Sequence, residues 1–322
     1  MKIFIIGSGT FGTAIANELS RDIDNEVVIF SRSKETKDEI NNLHTNKKYF
    51  PDNILNDSLV CSNDFSEIRS ADIIFIALPS SVLPIVVKSF SSYISENQII
   101  VNLSKGILLD GKTILDFLKE ELTSNNIVSL KGPSFAVEIM KRAPTLLTLG
   151  YSEENQKNII YSIFQKTCIN LESTKDVIGV EMLGVIKNMY AILLGIIDVK
   201  YSSPNTRFMI LSKVFKEIKI LNKEFCGDTE TLFLACGFGD VCLTSFNDLS
   251  RNRTLGILIG KGLFKNVSNN IIVEGVNSVN TIFSQIDKST VNKLPLLEKL
   301  FLFFQSESHS FELDLKSINW IK

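Results

Sequence analysis

Histidine and closely paired cysteine, the common ligands of a structural zinc ion, are scarce in this sequence. The 322 residues include only two histidines and five cysteines, and no two cysteines stand in a CxxC spacing. A zinc site and a disulfide framework are therefore unexpected, and we predict no metal site. We interpret the cysteines as buried thiols in a reducing compartment. They are Cys61, Cys168, Cys226, Cys236 and Cys242.

An excess of one charge is also missing. The 34 basic and 36 acidic residues nearly cancel, so the chain lacks the basic surface that is typical of proteins that bind nucleic acid. The expected partner is a small molecule.

The N-terminal apolar run MKIFIIG is too short for a secretory or membrane-spanning segment. We therefore expect a cytoplasmic protein without membrane insertion.

Length and hydrophobic pattern predict two domains. Up to about Lys175, short β-branched runs alternate with helical stretches, which is typical of an α/β fold with a doubly wound parallel (Rossmann) sheet. Long apolar helical segments follow, so we predict a dinucleotide-binding domain over 1–175 and a mostly α-helical substrate domain over 176–322. The predicted strands are 2–6, 26–30, 72–77, 98–101, 127–130 and 145–149, and the predicted helices include 10–19, 81–90, 113–121, 177–197 and 204–222.

Three glycines directly follow the first predicted strand. In the segment KIFIIGSGTFGTAIANEL they are Gly7, Gly9 and Gly12, and a helix begins among them. This placement predicts a tight turn whose backbone approaches a pyrophosphate at a helix N-terminus. The alternative is a glycine-rich turn that binds nothing, which would weaken the helix start without any gain.

The end of the second predicted strand indicates which dinucleotide binds. An acidic residue there would favour NAD, but the sequence VVIFSRS has Arg32 instead. Because a guanidinium can pair with a 2′-phosphate, we predict NADP, with NAD as the alternative cofactor. Arg32 could also be an ordinary solvated charge.

Polar segments follow the later strands, where ligands bind in open α/β sheets. They are LPSS around Pro79, NLSKG around Lys105 and LKGPSFA around Gly132 and Ser134. Any of them could be a simple turn. Lys105 is the strongest candidate, because it is a lone cation between small residues.

A lysine within a very apolar helix is the best candidate for catalysis. On a helical wheel, Lys187 and Asn188 share a narrow face with Gly184, Ala191 and Gly195, and we expect this face to receive a ligand. A membrane span is disfavoured by the charges of Glu181 and Lys187 inside the segment.

The chemistry expected of Lys187 is proton donation. A buried ammonium can donate a proton to a developing alkoxide during hydride transfer, although a structural ion pair remains the alternative. The histidines, His44 and His309, lie outside any motif, and no tyrosine is followed by lysine four residues later. Lys187 is therefore the predicted acid.

Several motifs in order resemble those of the bacterial-type NAD(P)-dependent glycerol-3-phosphate dehydrogenases. They are GSGTFGTA, NKKYFPD, SKG, GPSFAVE with APT, GV with IKN, GFGD, SRNR and VEG. The resemblance implies reduction of dihydroxyacetone phosphate to sn-glycerol 3-phosphate, a step that serves phospholipid synthesis. It also implies a phosphorylated small-molecule substrate and a homodimer.

The resemblance also implies roles for individual residues. Lys187 looks like the catalytic proton donor and acceptor. The residues that resemble substrate contacts are Lys105, Gly132, Ser134, Lys187, Asp240, Ser250, Arg251 and Asn252. Those that resemble cofactor contacts, together with the three glycines, are Thr10, Phe11, Arg32, Lys105, Ala136, Arg251, Ile272 and Glu274.

One segment departs from the family pattern. The family usually has a glycine-rich loop after the lysine helix, and this chain has DVKYSSPNTR. Loop closure is expected to differ.

The alternatives to a glycerol-3-phosphate dehydrogenase are a β-hydroxyacid dehydrogenase and an NADPH-binding module without turnover. The first usually separates its lysine and asparagine by three residues, whereas here Asn188 directly follows Lys187.

Overall fold

A single sheet of eight strands organises the N-terminal half. The structure is a computed structural model that describes residues 1–108, 110–124, 126–264, 274–306, 311–315 and 318. The strands are β1 (Lys2–Ile6), β2 (Glu26–Phe30), β3 (Val60–Ser62), β4 (Ile73–Ile76), β5 (Ile99–Asn102), β6 (Ile127–Lys131), β7 (Thr145–Gly150) and β8 (Ile169–Thr174). They are arranged in the order β3-β2-β1-β4-β5-β6-β7-β8.

The strand order places a topological switch point beside β1. The chain runs outward from β1 to β2 and β3, then returns to β4 on the other side of β1. The crevice at the carboxyl ends of β1 and β4 is therefore where such sheets bind ligands. The β1 residues after Lys2 are fully buried, as expected for a strand in the middle of a parallel sheet.

One strand pair departs from the parallel arrangement that the sequence predicts. β6 and β7 are antiparallel, whereas β7 and β8 are parallel again. The connection from β6 to β7 contains a helix of only five residues. Such a helix advances the chain by about 8 Å, which is too short to carry it back along a strand of about 16 Å. The Rossmann prediction is confirmed, but the sheet is mixed.

Helices connect the strands of this sheet. They are α1 (Thr10–Leu19), α2 (Lys34–Leu43), α3 (Leu83–Phe90), α4 (Ile114–Glu121), α5 (Ala136–Met140) and α6 (Glu154–Phe164). α1 has the predicted bounds. The sequence reasoning missed β3 and β8, because three residues give no clear alternation and β8 is only partly buried.

The C-terminal half is helical in its described residues. The helices are α7 (Val177–Tyr201), α8 (Pro204–Glu224), α9 (Asp240–Phe246), α10 (Arg251–Gly260), α11 (Glu274–Gln285), α12 (Lys288–Val291) and α13 (Pro295–Gln305). A π-helical turn at Ala235–Gly239 leads directly into α9. α7 is long and apolar enough to cross a membrane, but its most apolar window is completely buried within the protein.

The chain divides into two compact units. Unit 1 comprises 1–105 and 113–181, and unit 2 comprises 106–112 and 182–322. The division falls inside α7, between Glu181 and Met182. The boundary expected near residue 175 remains a prediction, since a functional domain need not end where the compact units divide.

Candidate active site

The turn between β1 and α1 holds the three glycines of the predicted dinucleotide motif. Gly7 has a φ of 120°, and a Cβ atom there would lie 2.4 Å from the carbonyl oxygen of Ala77. A Cβ at Gly12 would lie 2.0 Å from the carbonyl oxygen of Gly7. Gly9 differs, because its φ is −76° and a Cβ there would have no atom within 4 Å. Gly7 and Gly12 are thus required by packing, whereas Gly9 leaves open space.

The first turn of α1 suits an anionic group. Gly9 is the N-cap of this helix, and no side chain caps it. The N–H groups of the first turn therefore have no side-chain acceptor, and the helix dipole favours negative charge there. Thr10 and Phe11 open the helix, the first exposed and the second half-buried. This cradle fits the pyrophosphate of a dinucleotide.

A cavity of about 430 Å³ lies at this turn, within unit 1. Its volume lies in the range of small-molecule sites. Gly7 and Gly9 form part of its wall, together with exposed Arg32. The ring of Phe30 stacks on Phe65 with 3.8 Å between centroids, and both rings line the cavity. An apolar cavity with a guanidinium at its wall suits a phosphorylated ligand that carries flat rings.

The other predicted site residues of unit 1 follow β5 and β6. Lys105 lies three residues beyond the end of β5 and is half-buried. Gly132 has a φ of 155°, and a Cβ there would lie 2.9 Å from the carbonyl oxygen of Leu146. The Ser134 hydroxyl donates to the carbonyl oxygen of Gly132 at 3.0 Å, and Ala136 begins α5. None of these predicted residues lines the cavity described above.

Lys187 belongs to a buried polar cluster in unit 2. The side chain is almost wholly buried, and its Nζ donates to Oδ1 of Asp240 at 2.7 Å and to Oγ1 of Thr244 at 2.7 Å. The Thr244 hydroxyl also donates to Asp240 at 3.3 Å. A buried ion pair, the alternative left open by the sequence, is therefore present. Its partner is Asp240, which the resemblance implies is a substrate contact.

Part of the face of α7 that was expected to receive a ligand is filled by α10. A Cβ at Gly195 would lie 2.4 Å from the carbonyl oxygen of Arg253. A Cβ at Gly256 would lie 2.0 Å from the carbonyl oxygen of Ile192. The prediction that Gly195 makes room for a ligand is therefore wrong. The glycines let two helix backbones touch.

The SRNR segment begins α10 and places its small polar side chains inward. The Ser250 hydroxyl accepts the N–H of Arg253 at 3.3 Å and caps the helix. Asn252 is buried, and its side-chain oxygen accepts the N–H of Gly275 at 3.1 Å. A Cβ at Gly275 would also lie 2.8 Å from the carbonyl oxygen of Asn188. The backbone of Asn188 and the side chain of Asn252 thus both lie against Gly275, at the start of α11.

Of the remaining predicted contacts, the structure describes Arg251 and Glu274 but not Ile272. Arg251 is exposed, and it has no ion pair with any residue that the structure describes. Glu274 is half-buried and begins α11. Ile272, a predicted cofactor contact, lies outside the described residues, as does His309.

The segment that departs from the family pattern is almost entirely helical. Only two residues separate α7 from α8. The carboxylate of Asp198 accepts from Arg207 and from Arg253, and Arg253 also donates to the carbonyl oxygen of Ser245 at 2.9 Å. The second arginine of SRNR therefore binds within the fold of unit 2, unlike Arg251.

Neighbouring ionisable groups have pKa values shifted by burial. The hydroxyl of Tyr190, one turn after Lys187, donates to Glu217 at 2.8 Å. Burial raises the pKa of Tyr190 well above its usual value and raises the pKa of Glu217 to about 7. Burial also raises the pKa of the Cys242 thiol. Cys242 is therefore protonated at neutral pH and offers no thiolate beside Asp240.

The sequence reasoning missed Thr244. Its hydroxyl is as close to the Lys187 ammonium as the Asp240 carboxylate is. The signal was the spacing of four residues between Asp240 and Thr244, which places them on one face of a helix. That signal means little until a partner on another helix is known.

Sequence models of one family match almost the whole chain. The model described as NAD-dependent glycerol-3-phosphate dehydrogenase N-terminus matches residues 2–157. The model of the C-terminus of the same family matches residues 176–310.

Curated relatives agree with these matches. A glycerol-3-phosphate dehydrogenase (NAD(P)+) of Methanothermobacter thermautotrophicus is 34% identical over 308 residues, covering 95% of this chain and 94% of the relative. One of Clostridium acetobutylicum is 32% identical, covering 93% and 91%. The crystal structure of a glycerol-3-phosphate dehydrogenase from Coxiella burnetii has a similar fold, with a TM-score of 0.82, 24% identity and coverage of 93% of each chain.

Proposed function

The chain belongs to the NAD-dependent glycerol-3-phosphate dehydrogenase family, and we propose that it reduces dihydroxyacetone phosphate to sn-glycerol 3-phosphate for phospholipid synthesis. The single observation that carries the mechanism is the buried Lys187 cluster with Asp240 and Thr244. In this cluster the ammonium group of Lys187, on α7, donates a hydrogen bond to the carboxylate of Asp240, on α9. Both residues belong to motifs that resemble those of the family.

Reduction of a ketone requires a hydride at carbon and a proton at oxygen. The bound nicotinamide cofactor supplies the hydride. Lys187 donates the proton to the oxygen as negative charge develops there, and in the reverse reaction it accepts the proton. Asp240 and Thr244 fix the direction of the ammonium, since both accept its hydrogen bonds. Asp240 also balances the charge that burial would otherwise make costly.

Arg251 is the proposed ligand of the substrate phosphate. Its guanidinium is exposed, unlike that of Arg253, which binds Asp198. A guanidinium matches phosphate oxygens with two parallel hydrogen bonds. We assign Ser250, Asn252, Lys105, Gly132 and Ser134 as further substrate contacts.

NADP is the proposed cofactor, with NAD as a second one. Gly7, Gly9 and Gly12 would hold the pyrophosphate at the first turn of α1, and Arg32 would pair with the 2′-phosphate. The remaining proposed contacts are Thr10, Phe11, Lys105, Ala136, Arg251, Ile272 and Glu274. The curated relatives are named for both NAD and NADP.

We also propose that the protein is a cytoplasmic homodimer. Light scattering would then give a mass of twice 36.0 kDa. A mass of 36.0 kDa at micromolar concentration would contradict the dimer.

Substituting the lysine cluster tests the mechanism. We expect K187M/D240N to lose at least 10³-fold in kcat, because the proton donor is gone, while NADPH binding measured by fluorescence is retained. The paired substitution avoids leaving the Asp240 charge buried alone.

Y190F is the matched control. It removes a buried hydroxyl from α7 one turn after Lys187, at the Glu217 hydrogen bond. We expect it to keep kcat within about threefold, since it alters the helix but not the proposed donor. Unchanged turnover by K187M/D240N would overturn the role of Lys187. Failure of the wild-type protein to reduce dihydroxyacetone phosphate would overturn the function.

A further inference from the structure

Unit 1 contains a buried lysine, Lys131, which the proposed mechanism does not use. Lys131 ends β6, and none of its side chain is exposed. Its Nζ lies 2.9 Å from the carboxylate of Glu181, of which 2% is exposed. A buried ion pair rarely stabilises a protein more than apolar residues of similar size would. A role for this ion pair is therefore sought in the residues that it holds in place, and not in its contribution to stability.

The same ammonium holds the end of the neighbouring strand. Lys131 Nζ donates to the backbone carbonyl oxygen of Asn102 at 2.9 Å. The side-chain amide of Asn102 donates to the Glu181 carboxylate at 2.7 Å, and the hydroxyl of Ser129 also donates to that carboxylate. Asn102 is thus held at its backbone by the cation and at its side chain by the anion.

Asn102 passes this constraint to the segment that carries Lys105. The side-chain oxygen of Asn102 accepts the N–H of Ser104 at 2.9 Å. The Ser104 hydroxyl in turn accepts the N–H of Leu78 at 3.0 Å and donates to the carbonyl oxygen of Ile76 at 3.3 Å. The residue directly before Lys105 is therefore fixed on two sides.

We propose that Lys131 and Glu181 are positioning residues that hold the backbone of 102–104 so that Lys105 is presented to the substrate. This inference rests on the proposed function, because it takes Lys105 as a substrate contact. The pair acts through Asn102 and Ser104 and does not itself touch the substrate.

The test compares K131M/E181Q with the wild-type protein. The double substitution removes the cation and its counter-charge together, so that neither is left buried alone. The glutamine can still accept a bond from Asn102, but the bond to the Asn102 carbonyl is lost. We expect the KM for dihydroxyacetone phosphate to rise about tenfold, because Lys105 is a proposed substrate contact.

A double-mutant cycle that combines K131M/E181Q with K105A separates positioning of Lys105 from a general structural role. If the pair acts through Lys105, K131M/E181Q should change kcat/KM less than twofold in a K105A background. Equal losses in both backgrounds would overturn the proposal, as would wild-type kinetics of K131M/E181Q.

The N102A substitution tests the same segment in a second way. It cuts the bond to Ser104 while keeping the ion pair, and it should reproduce the rise in KM.

A readout without substrate distinguishes this inference from the proposed function. The rate at which acetic anhydride modifies Lys105, followed by peptide mass spectrometry, should change at least threefold in K131M/E181Q. No change would overturn the positioning role, even if the wild-type enzyme is active. The matched control is K166M. It removes a lysine that forms ion pairs with Asp22 and Asp24 and whose side chain is more than half exposed. It should leave the kinetics and the Lys105 labelling rate unchanged.

Discussion

At the scale of single residues, the glycines of the dinucleotide turn have two different roles. Gly12 has no room for a Cβ, because the Gly7 carbonyl oxygen already fills that space. Gly9 has an ordinary φ and open space around the missing Cβ. The motif therefore combines residues that packing requires with one that leaves room for a ligand.

Alanine substitutions should separate these roles. We expect G12A to lower the free energy of unfolding by about 1–3 kcal/mol, because the methyl group collides with backbone. G9A should change it by less than about 0.5 kcal/mol. In contrast, G9A should raise the Kd for NADPH at least tenfold, because its methyl group occupies the approach to the pyrophosphate. Urea unfolding and fluorescence titration measure the two effects, and tight NADPH binding by G9A would contradict the assignment of Gly9.

At the scale of helices, a buried carboxylate joins three elements of unit 2. Glu217, on α8, accepts the N–H groups of Leu296 and Leu297 at 2.8 Å and 3.0 Å. These amides lie in the first turn of α13, so Glu217 acts as a cap from another helix. Its third partner is the Tyr190 hydroxyl on α7. Burial nevertheless raises the pKa of Glu217 to about 7, since desolvation outweighs these hydrogen bonds.

Stability should therefore depend on pH through Glu217. The folded protein binds this proton more tightly than the unfolded chain, whose carboxyl pKa is near 4.5. The contribution of Glu217 is greatest below pH 4.5 and is lost as pH rises to about 7, at no more than roughly 1.4 kcal/mol per pH unit.

Unfolding by urea at several pH values between 4.5 and 8 measures this dependence. E217Q should reduce the slope, because glutamine does not titrate. E230Q, at an exposed position in unit 2, should keep the wild-type slope. A wild-type slope in E217Q would show that another group is responsible.

At the scale of the whole molecule, cofactor binding is coupled to stability. A ligand that binds only the folded protein at 100 times its Kd stabilises it by about 2.7 kcal/mol. If Arg32 pairs with the 2′-phosphate, NADPH should raise the unfolding temperature more than NADH at the same concentration.

Thermal scans with each cofactor test this preference. R32S should reduce the difference between NADPH and NADH, because it removes the guanidinium from the cavity wall. An equal shift with both cofactors in the wild-type protein would contradict the preference for NADP.

The local features of this protein could be predicted from neighbouring residues in the sequence. The bounds of β1, β2 and α1 were predicted correctly, because short runs of apolar, β-branched residues and the glycine turn are encoded within a few neighbouring residues. The ordered motifs also indicated the family. Lys187 was chosen as the catalytic candidate for a similar reason, since a charge in an apolar helix is visible in one segment, and its role stays a prediction.

Contacts between residues that are far apart along the chain could be identified only from the three-dimensional structure. Thr244 joins Lys187 from 57 positions away, and Lys131 meets Glu181 from 50 positions away. The structure also shows that Gly195 contacts another helix and leaves no room for a ligand there. A helix pattern specifies which face is buried but not what packs against it, because the partner is selected by the complementarity of whole elements.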